Sequence, residues 1–222
     1  MEDKGIFWIR SEGEDMLATQ NLAPGNQVYK EKLLIKKGIE YRLWDPFRSK
    51  LAASILNGLE FFPFKESDVL YLGASTGTTV SHISDIIGGA GTIFGVESAS
   101  RVARDFLDRV ASNRNNIVPV IQDARQPKNY FSVYKKVDIV YADIAQPDQT
   151  DITIANCKMY LKDDGYLFLV IKTRSIDAVR SPKKIIEGEI RKLEADFKVM
   201  QKIDLYPYDK DHAIVVAKYI RH

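Results

Sequence analysis

The chain has 222 residues, 45% apolar and 28% charged, with a formal net charge of +2. That length holds one substantial core, or one core with a small appended unit. No apolar run reaches the roughly 18 residues of a membrane helix, and the near-neutral charge speaks against an unaided grip on RNA, which usually takes a strong basic excess. The start, Met1-Glu2-Asp3-Lys4, is charged and leads into no secretory apolar stretch. The single cysteine, Cys157, has no disulfide partner, which fits a reducing compartment, and its helical surroundings make it a packing residue.

Up to Trp44 the texture is short and strand-like. Ile6-Phe7-Trp8-Ile9 is aromatic and β-branched, and Leu22-Ala23-Pro24-Gly25-Asn26 is a turn signal. Leu33-Leu34-Ile35 and Ile39-Glu40-Tyr41-Arg42-Leu43-Trp44, joined by Lys36-Lys37-Gly38, predict a hairpin within a small antiparallel sheet. Asp45-Pro46 breaks this region, so residues 1–45 are expected as a small N-terminal β domain and 46–222 as the main domain. Pro46 suits a first helical turn, and Leu51, Ile55 and Leu59 carry that helix to about Asn57-Gly58.

From Asp68 strand and helix alternate. Strands are expected at residues 69–72, 92–96, 117–121, 137–142 and 165–171, and helices at 78–87, 100–113, 148–161 and 181–195. Two more strands, 197–205 and 213–220, have too short a connection for a parallel crossover and should pair antiparallel. The alternation predicts an α/β fold, a mostly parallel sheet with helices on both faces.

In such sheets ligands bind beyond the carboxyl ends of the strands. The first end is Gly73-Ala74-Ser75-Thr76-Gly77-Thr78-Thr79, a glycine turn before a helix whose free N–H groups face the same way. Its spacing is not the Gly-x-Gly-x-x-Gly of dinucleotide folds. The second is Glu97-Ser98, where a carboxylate can accept from both hydroxyls of a ribose or merely charge a helix start. The third is Asp123-Ala124, within reach of an adenine amine or simply a turn-former. The fourth is Asp143-Ile144-Ala145-Gln146. Their order fits an S-adenosylmethionine site; a nicotinamide enzyme would use the first two and leave the last two idle.

Longer stretches are more specific. Residues 41–53, beginning Tyr41-Arg42-Leu43-Trp44-Asp45-Pro46, the run Tyr71 through His82, Gly95-Val96-Glu97, Ala142-Asp143-Ile144-Ala145-Gln146-Pro147-Asp148-Gln149, Ile171-Lys172-Thr173-Arg174-Ser175-Ile176-Asp177 and Asp211-His212-Ala213 together resemble the fibrillarin family over almost the whole chain. The resemblance implies a Rossmann-like class I methyltransferase fold with a seven-stranded sheet, its last strand antiparallel, and a small N-terminal β domain. It implies S-adenosylmethionine-dependent methylation of ribose 2′-hydroxyls in ribosomal and transfer RNA, at sites chosen by a box C/D guide RNA. The implied partners are a Nop-domain scaffold protein, an L7Ae-type kink-turn-binding protein, and guide and substrate RNA. The sequence carries no glycine- and arginine-rich tail of the eukaryotic kind, so the resemblance is to the archaeal form, and a cytoplasmic location is expected.

Ribose methyltransferases of this class share a Lys-Asp-Lys-acid tetrad, which the fibrillarins end with His. Carried over, it falls on Lys50, Asp143, Lys172 and His212. Lys172 is expected as general base or hydroxyl-orienting group, Lys50 and Asp143 as positioning groups, and His212 as support for Lys172 or a water. The sulfonium donor is already activated, so no metal is needed. Without the resemblance, Lys50 and Lys172 read as solvated lysines and His212 as an ordinary strand-start residue. His82 is expected on a helix surface, His222 as a terminal residue, and Asp148 as a helix cap. A nucleotide-sugar or nicotinamide oxidoreductase lacks support in the glycine spacing. A nitrogen methyltransferase would carry Asp/Asn-Pro-Pro-Tyr/Phe where Asp143-Ile144-Ala145-Gln146 stands. A non-catalytic RNA- or protein-binding subunit would have no need of the tetrad.

Overall fold

The computed structural model describes residues 4–220; Met1, Glu2, Asp3 and His222, of which readings were made above, lie outside the described residues. Four strands, β1 (Phe7–Ser11), β2 (Glu14–Gln20), β3 (Leu33–Lys36) and β4 (Ile39–Leu43), form an antiparallel sheet in the order β1-β2-β4-β3. The expected hairpin is β3–β4, with Lys36 opposite Ile39 and both turn residues, Lys37 and Gly38, at positive φ (52° and 78°), as a two-residue type I′ connection demands. Strand β2 was not foreseen: Glu14, Asp15 and Met16 are exposed and Leu17, Ala18 and Thr19 are buried, so the segment carries no two-residue alternation.

The main sheet contains β5 (Val69–Leu72), β6 (Ile93–Val96), β7 (Ile117–Val120), β8 (Val137–Ala142), β9 (Leu161–Lys172), β10 (Phe197–Asp204) and β11 (His212–Tyr219), in the order β10-β11-β9-β8-β5-β6-β7. Strands β5 to β9 pair parallel, and β11 runs antiparallel to both its neighbours, β9 and β10. Chain order reverses between β5 and β8, so the connections that leave their carboxyl ends diverge to opposite faces and open a crevice. Both faces are covered. Val69 and Tyr71 pack with residues of α1 (Lys50–Leu56), α2 (Thr78–Ile87) and α3 (Ser100–Arg109). Leu70 and Leu72 alternate to the other face, against α4 (Gln149–Tyr160) and, through Leu193, α6 (Pro182–Leu193). Cys157 belongs to that second core; it is fully buried, and burial pushes its thiol pKa up, so it is a packing residue. No helix among the described residues is long and apolar enough to cross a membrane.

Boundaries moved where local chemistry overrode the periodicity. Helix α1 begins at Lys50 rather than near Pro46, because Ser49 caps it, accepting from Ala52 N, while residues 46–48 form a separate turn. Helix α3 stops at Arg109 and continues only as a 3-10 turn over Ala111–Asn113. Strand β9 starts directly at Leu161, and a short α5 (Thr173–Ile176) follows it.

The small sheet is fastened to α2 by buried charges. The Arg42 side chain, wholly buried, pairs with Glu31 at 2.6 Å and with Asp85 at 2.8 Å, and Asp85 also pairs with Arg114. His82 corrects an expectation. It is fully buried, stacked on Trp44 at 4.7 Å, with Nδ1 2.8 Å from the Thr19 hydroxyl and Nε2 2.8 Å from the Tyr29 hydroxyl. The helix surface expected there is covered by the N-terminal sheet, which periodicity within α2 cannot reveal. Burial, then Arg42 and Arg114, hold its pKa well below the usual histidine range, so the ring is neutral. The Thr19 hydroxyl donates to Asp85, so it accepts from Nδ1, and the unprotonated Nε2 shares the single Tyr29 proton with the Leu43 carbonyl.

Candidate active site

A cleft of about 310 Å³ opens at the carboxyl ends of β5, β6, β7 and β8, a size within the small-molecule range. Of the residues singled out for a cofactor, Gly73, Glu97, Ser98, Asp123, Ala124, Asp143, Ile144, Ala145 and Gln146 line it. Ser75, Ala99, Gln122, Arg125 and Lys172 line it as well. Gln122 and Arg125 were missed although they flank Asp123-Ala124; only proximity to that strand end could have marked them.

The glycine turn divides between ligand and scaffold. Gly73 has φ +82°, and a Cβ there would lie 2.8 Å from the Asp143 carbonyl oxygen, so glycine lets β5 and β8 close on each other at the cleft floor. Gly77 faces the core instead: a Cβ would lie 2.6 Å from Val110 and 2.8 Å from Phe106. Ala74, Gly77, Thr78 and Thr79 do not line the cleft. Thr79 is buried, and its hydroxyl lies 3.0 Å from Ser49 Oγ, tying α2 to the cap of α1 and so fixing the helix that presents Lys50.

Each Glu97 carboxylate oxygen accepts one backbone N–H at 2.9 Å, from Ala99 and from Ser75. The anion is thereby aimed into the cleft with lone pairs to spare for a diol. Asp123 is both cleft wall and turn-former, since Oδ1 accepts from Arg125 N at 2.9 Å. Asp148 occupies the N-cap position of α4 without capping; its carboxylate takes Arg125 at 2.7 Å instead, while Gln146 accepts from the same guanidinium. This acceptor set, with a floor that a Cβ would fill, fits an adenosine-type cofactor: Glu97 for the ribose hydroxyls, Asp123 for the base, and the Gly73–Asp143 floor for the remainder.

At the end of the cleft the tetrad residues meet. Lys172 Nζ lies 2.7 Å from Asp143 Oδ1 and donates to the Asp143 carbonyl at 2.9 Å. The Oδ1 contact is an ion pair off the hydrogen-bond direction, leaving that buried oxygen without a hydrogen bond. Lys50 donates to Asp143 Oδ2 at 3.3 Å. The chain continues through a residue that was not foreseen: Asp209 lies 3.7 Å from Lys50 and 2.8 Å from His212 Nδ1. His212 is therefore not in contact with Asp143; it joins the group through Asp209, while its backbone stands directly opposite Lys172 across β9–β11. Lys50, Asp209 and His212 flank the cleft rather than line it. Asp209 sits in the Tyr206–Asp211 connection, where an Asp among turn residues carries no signal of its own. Gln149 was also missed as a positioning group: fully buried, it donates to the Val170 carbonyl at 2.6 Å and accepts from Lys172 N at 3.3 Å, fixing the strand end that bears Lys172.

A family model for fibrillarin matches residues 1–221. The chain is 53% identical over 211 residues to a fibrillarin-like rRNA/tRNA 2′-O-methyltransferase of Saccharolobus solfataricus, covering 94% of this chain and 90% of that protein. Among solved structures it superposes on Aeropyrum pernix fibrillarin with natively bound S-adenosyl-L-methionine, with a TM-score of 0.89, 44% identity and coverage of 96% and 94%. It also superposes on fibrillarin from a fibrillarin/Nop5p complex, with a TM-score of 0.88, 36% identity and coverage of 98% of each chain. Whole-length similarity in sequence and fold, joined to the cleft and charge cluster above, places this chain in the fibrillarin family.

Proposed function

We propose that this chain transfers the methyl group of S-adenosylmethionine to ribose 2′-hydroxyls of ribosomal and transfer RNA, as the catalytic subunit of a box C/D guide ribonucleoprotein. The observation that carries this is the Lys172–Asp143–Lys50 ion-paired chain at the end of a cleft lined by Glu97 and Asp123. The named relatives and the S-adenosylmethionine-bound neighbour support it, and a Nop-domain scaffold is the partner suggested by the Nop5p complex. An L7Ae-type kink-turn-binding protein, guide RNA and a cytoplasmic setting complete the reading. The net charge of +2 agrees with a grip on RNA shared with partners.

The cofactor supplies an activated methyl on a sulfonium sulfur. The protein must bring a hydroxyl oxygen in line with it and provide for the departing proton. Asp143, anchored by Leu72 O to its backbone N at 2.9 Å, holds two ammonium groups apart on its two oxygens. Lys172 Nζ, at the cleft wall, is the atom that meets the hydroxyl, as general base or as the group that orients the oxygen. Lys50 holds Asp143 from the far side.

The test is methyl transfer with the purified chain, with and without guide RNA and the two partner proteins. Transfer to the guide-paired ribose is expected only in the complete mixture. Robust, site-specific transfer by the chain alone would overturn the guided reading, and no transfer in any mixture would overturn the enzymatic one.

A further inference from the structure

The turn that leads into Lys50 and the turn that carries Asp209 also carry an aromatic pair that the chemistry above does not use. Phe47 is 70% exposed, and its ring meets Tyr208 edge-on at 5.2 Å and 70°. Both rings stand on fixed backbone. Phe47 N donates to Asp45 Oδ1 at 2.8 Å, and Tyr208 N donates to the Leu205 carbonyl at 2.9 Å. Phe47 precedes the Ser49 cap and Lys50, Tyr208 precedes Asp209, and the Lys50–Asp209 contact of 3.7 Å joins the same two turns. The ring pair therefore adjoins the Lys50–Asp209 link and stands outside the lining of the cofactor cleft, which includes Lys172 and Asp143 but not Lys50 or Asp209. The adjacent Arg48 is turned aside, its guanidinium 5.4 Å from the centre of the Tyr29 ring.

We propose that Phe47, buttressed by Tyr208, is a substrate-positioning residue that packs against the sugar face of the RNA strand, in the minor groove beside the target ribose. This rests on the ribose-methylation reading. An RNA helix shows its 2′-hydroxyls along a wide, shallow minor groove. A protein that reaches one of those hydroxyls from Lys172 must present its surface to that groove. With the cofactor on one side of the Lys172–Asp143–Lys50 chain, the strand approaches from the other, where Phe47 projects. A rigid uncharged ring suits the C–H edges of ribose, whereas a cation there would be drawn to phosphate.

The test uses the particle assembled with scaffold, kink-turn-binding protein and guide RNA, carrying Phe47→Ala or Phe47→Tyr. Single-turnover kcat/KM is measured against substrate RNA, S-adenosylmethionine affinity by calorimetry, and assembly by gel filtration. Losing the burial of one aromatic side chain predicts a fall of about tenfold for Phe47→Ala. Phe47→Tyr should stay within about twofold of wild type, far inside that effect. Cofactor affinity should not change, nor should the slope of log rate against log salt, because no phosphate contact is lost. Three results would overturn the proposal: Phe47→Ala within about twofold of wild type, a range that leaves no room for the expected burial; Phe47→Tyr as impaired as Phe47→Ala; or failure of Phe47→Ala to assemble, which would make the ring a protein-docking contact. An inactive wild-type particle would instead sink the methyl-transfer reading, and this proposal with it.

Discussion

Two charge networks of similar length run through this molecule, and they are built for different ends. In the first, Glu31, Arg42, Asp85 and Arg114 join the N-terminal sheet to α2, with side chains between 0% and 2% exposed. In the second, Lys172, Asp143, Lys50, Asp209 and His212 close the cleft, between 14% and 31% exposed. The sealed network uses arginines, whose planar forks satisfy two carboxylates at once and which stay charged. Arg42 spends its nitrogens on Glu31, Asp85 and Ser81. The open network uses lysines and a histidine, which lack the planar guanidinium fork and leave the buried Asp143 Oδ1 short of a hydrogen bond. Sealed and saturated charges fasten the fold, whereas partly exposed and unsaturated ones are available for chemistry.

That contrast breaks most sharply at Asp85 and Lys172. Asp85→Ala leaves Arg42 and Arg114 buried without their shared carboxylate, and removing one partner of a buried ion pair costs about 3–5 kcal/mol. Urea denaturation should show a loss of that size, while transfer per folded molecule stays near wild type in the reconstituted particle. A loss under about 1 kcal/mol, the scale of a surface pair, would mean the network is not the fastening described. Lys172→Ala should do the reverse: normal assembly and little change in stability, but at least about a hundredfold slower single-turnover transfer. Lys172→Arg should be nearly as poor, since guanidinium keeps its proton and cannot act as a base. If Lys172→Ala assembles and transfers within about threefold of wild type, the proton passes elsewhere, and His212 or a water leads.

The two networks also differ in how far sequence alone exposes them. The main sheet was legible because hydrophobic runs and helical periods are local signals, and the strand ends followed from the general placement of ligands in such sheets. Lys50, Asp143 and Lys172 were marked by family resemblance and are brought together within 3.3 Å. Asp209 was not, because an aspartate in a polar turn looks like any other. Nor was the sealed network. His82 reads as an exposed helical residue until the N-terminal sheet is laid over it, and Arg42 and Asp85 look like surface charges forty-three residues apart. Contacts between separate layers leave no period in either segment. Thr79 shows the same limit: its place in a glycine-rich turn suggested ligand, and its actual partner is Ser49.

At the far end of the cleft, Glu97 sharpens the comparison from a third side. Its carboxylate is pinned by two backbone N–H groups yet faces solvent, and it lies outside both networks. Hydrogen bonds to a charged group contribute about 1.5–3 kcal/mol. Glu97→Ala should therefore weaken S-adenosylmethionine binding to the isolated chain by roughly ten- to a hundredfold in calorimetry. Glu97→Gln keeps the shape and should fall between. Equal binding by wild type and Glu97→Ala would remove Glu97 from the ribose role.

The smallest effect belongs to the outer link of the open network and is visible only as a function of pH. Burial disfavours a charged His212 imidazole, but the hydrogen bond to Asp209, the Lys210 carbonyl and the charge of Asp209 outweigh it, so His212 keeps its proton above the usual histidine range. Burial likewise pushes Asp209 up, and His212 with Lys50 and Lys172 prevails, holding it below the usual carboxylate range. A raised histidine pKa stabilises the fold fully below the unfolded value, about 6.5, and that contribution disappears as pH climbs through the folded value. The lowered Asp209 acts at the other end: its contribution is present above its unfolded value and is lost as pH falls through the folded one. The stability difference between wild type and His212→Gln should thus be greatest at about pH 6, where both charges exist, and shrink at an alkaline pH above the folded value, where the imidazole is neutral in folded and unfolded chains alike. Denaturation curves at the two pH values measure it directly. A difference that stays constant, or grows on the alkaline side, would show that His212 meets the Asp209 carboxylate as a neutral imidazole and that the charges of the open network end at Asp209.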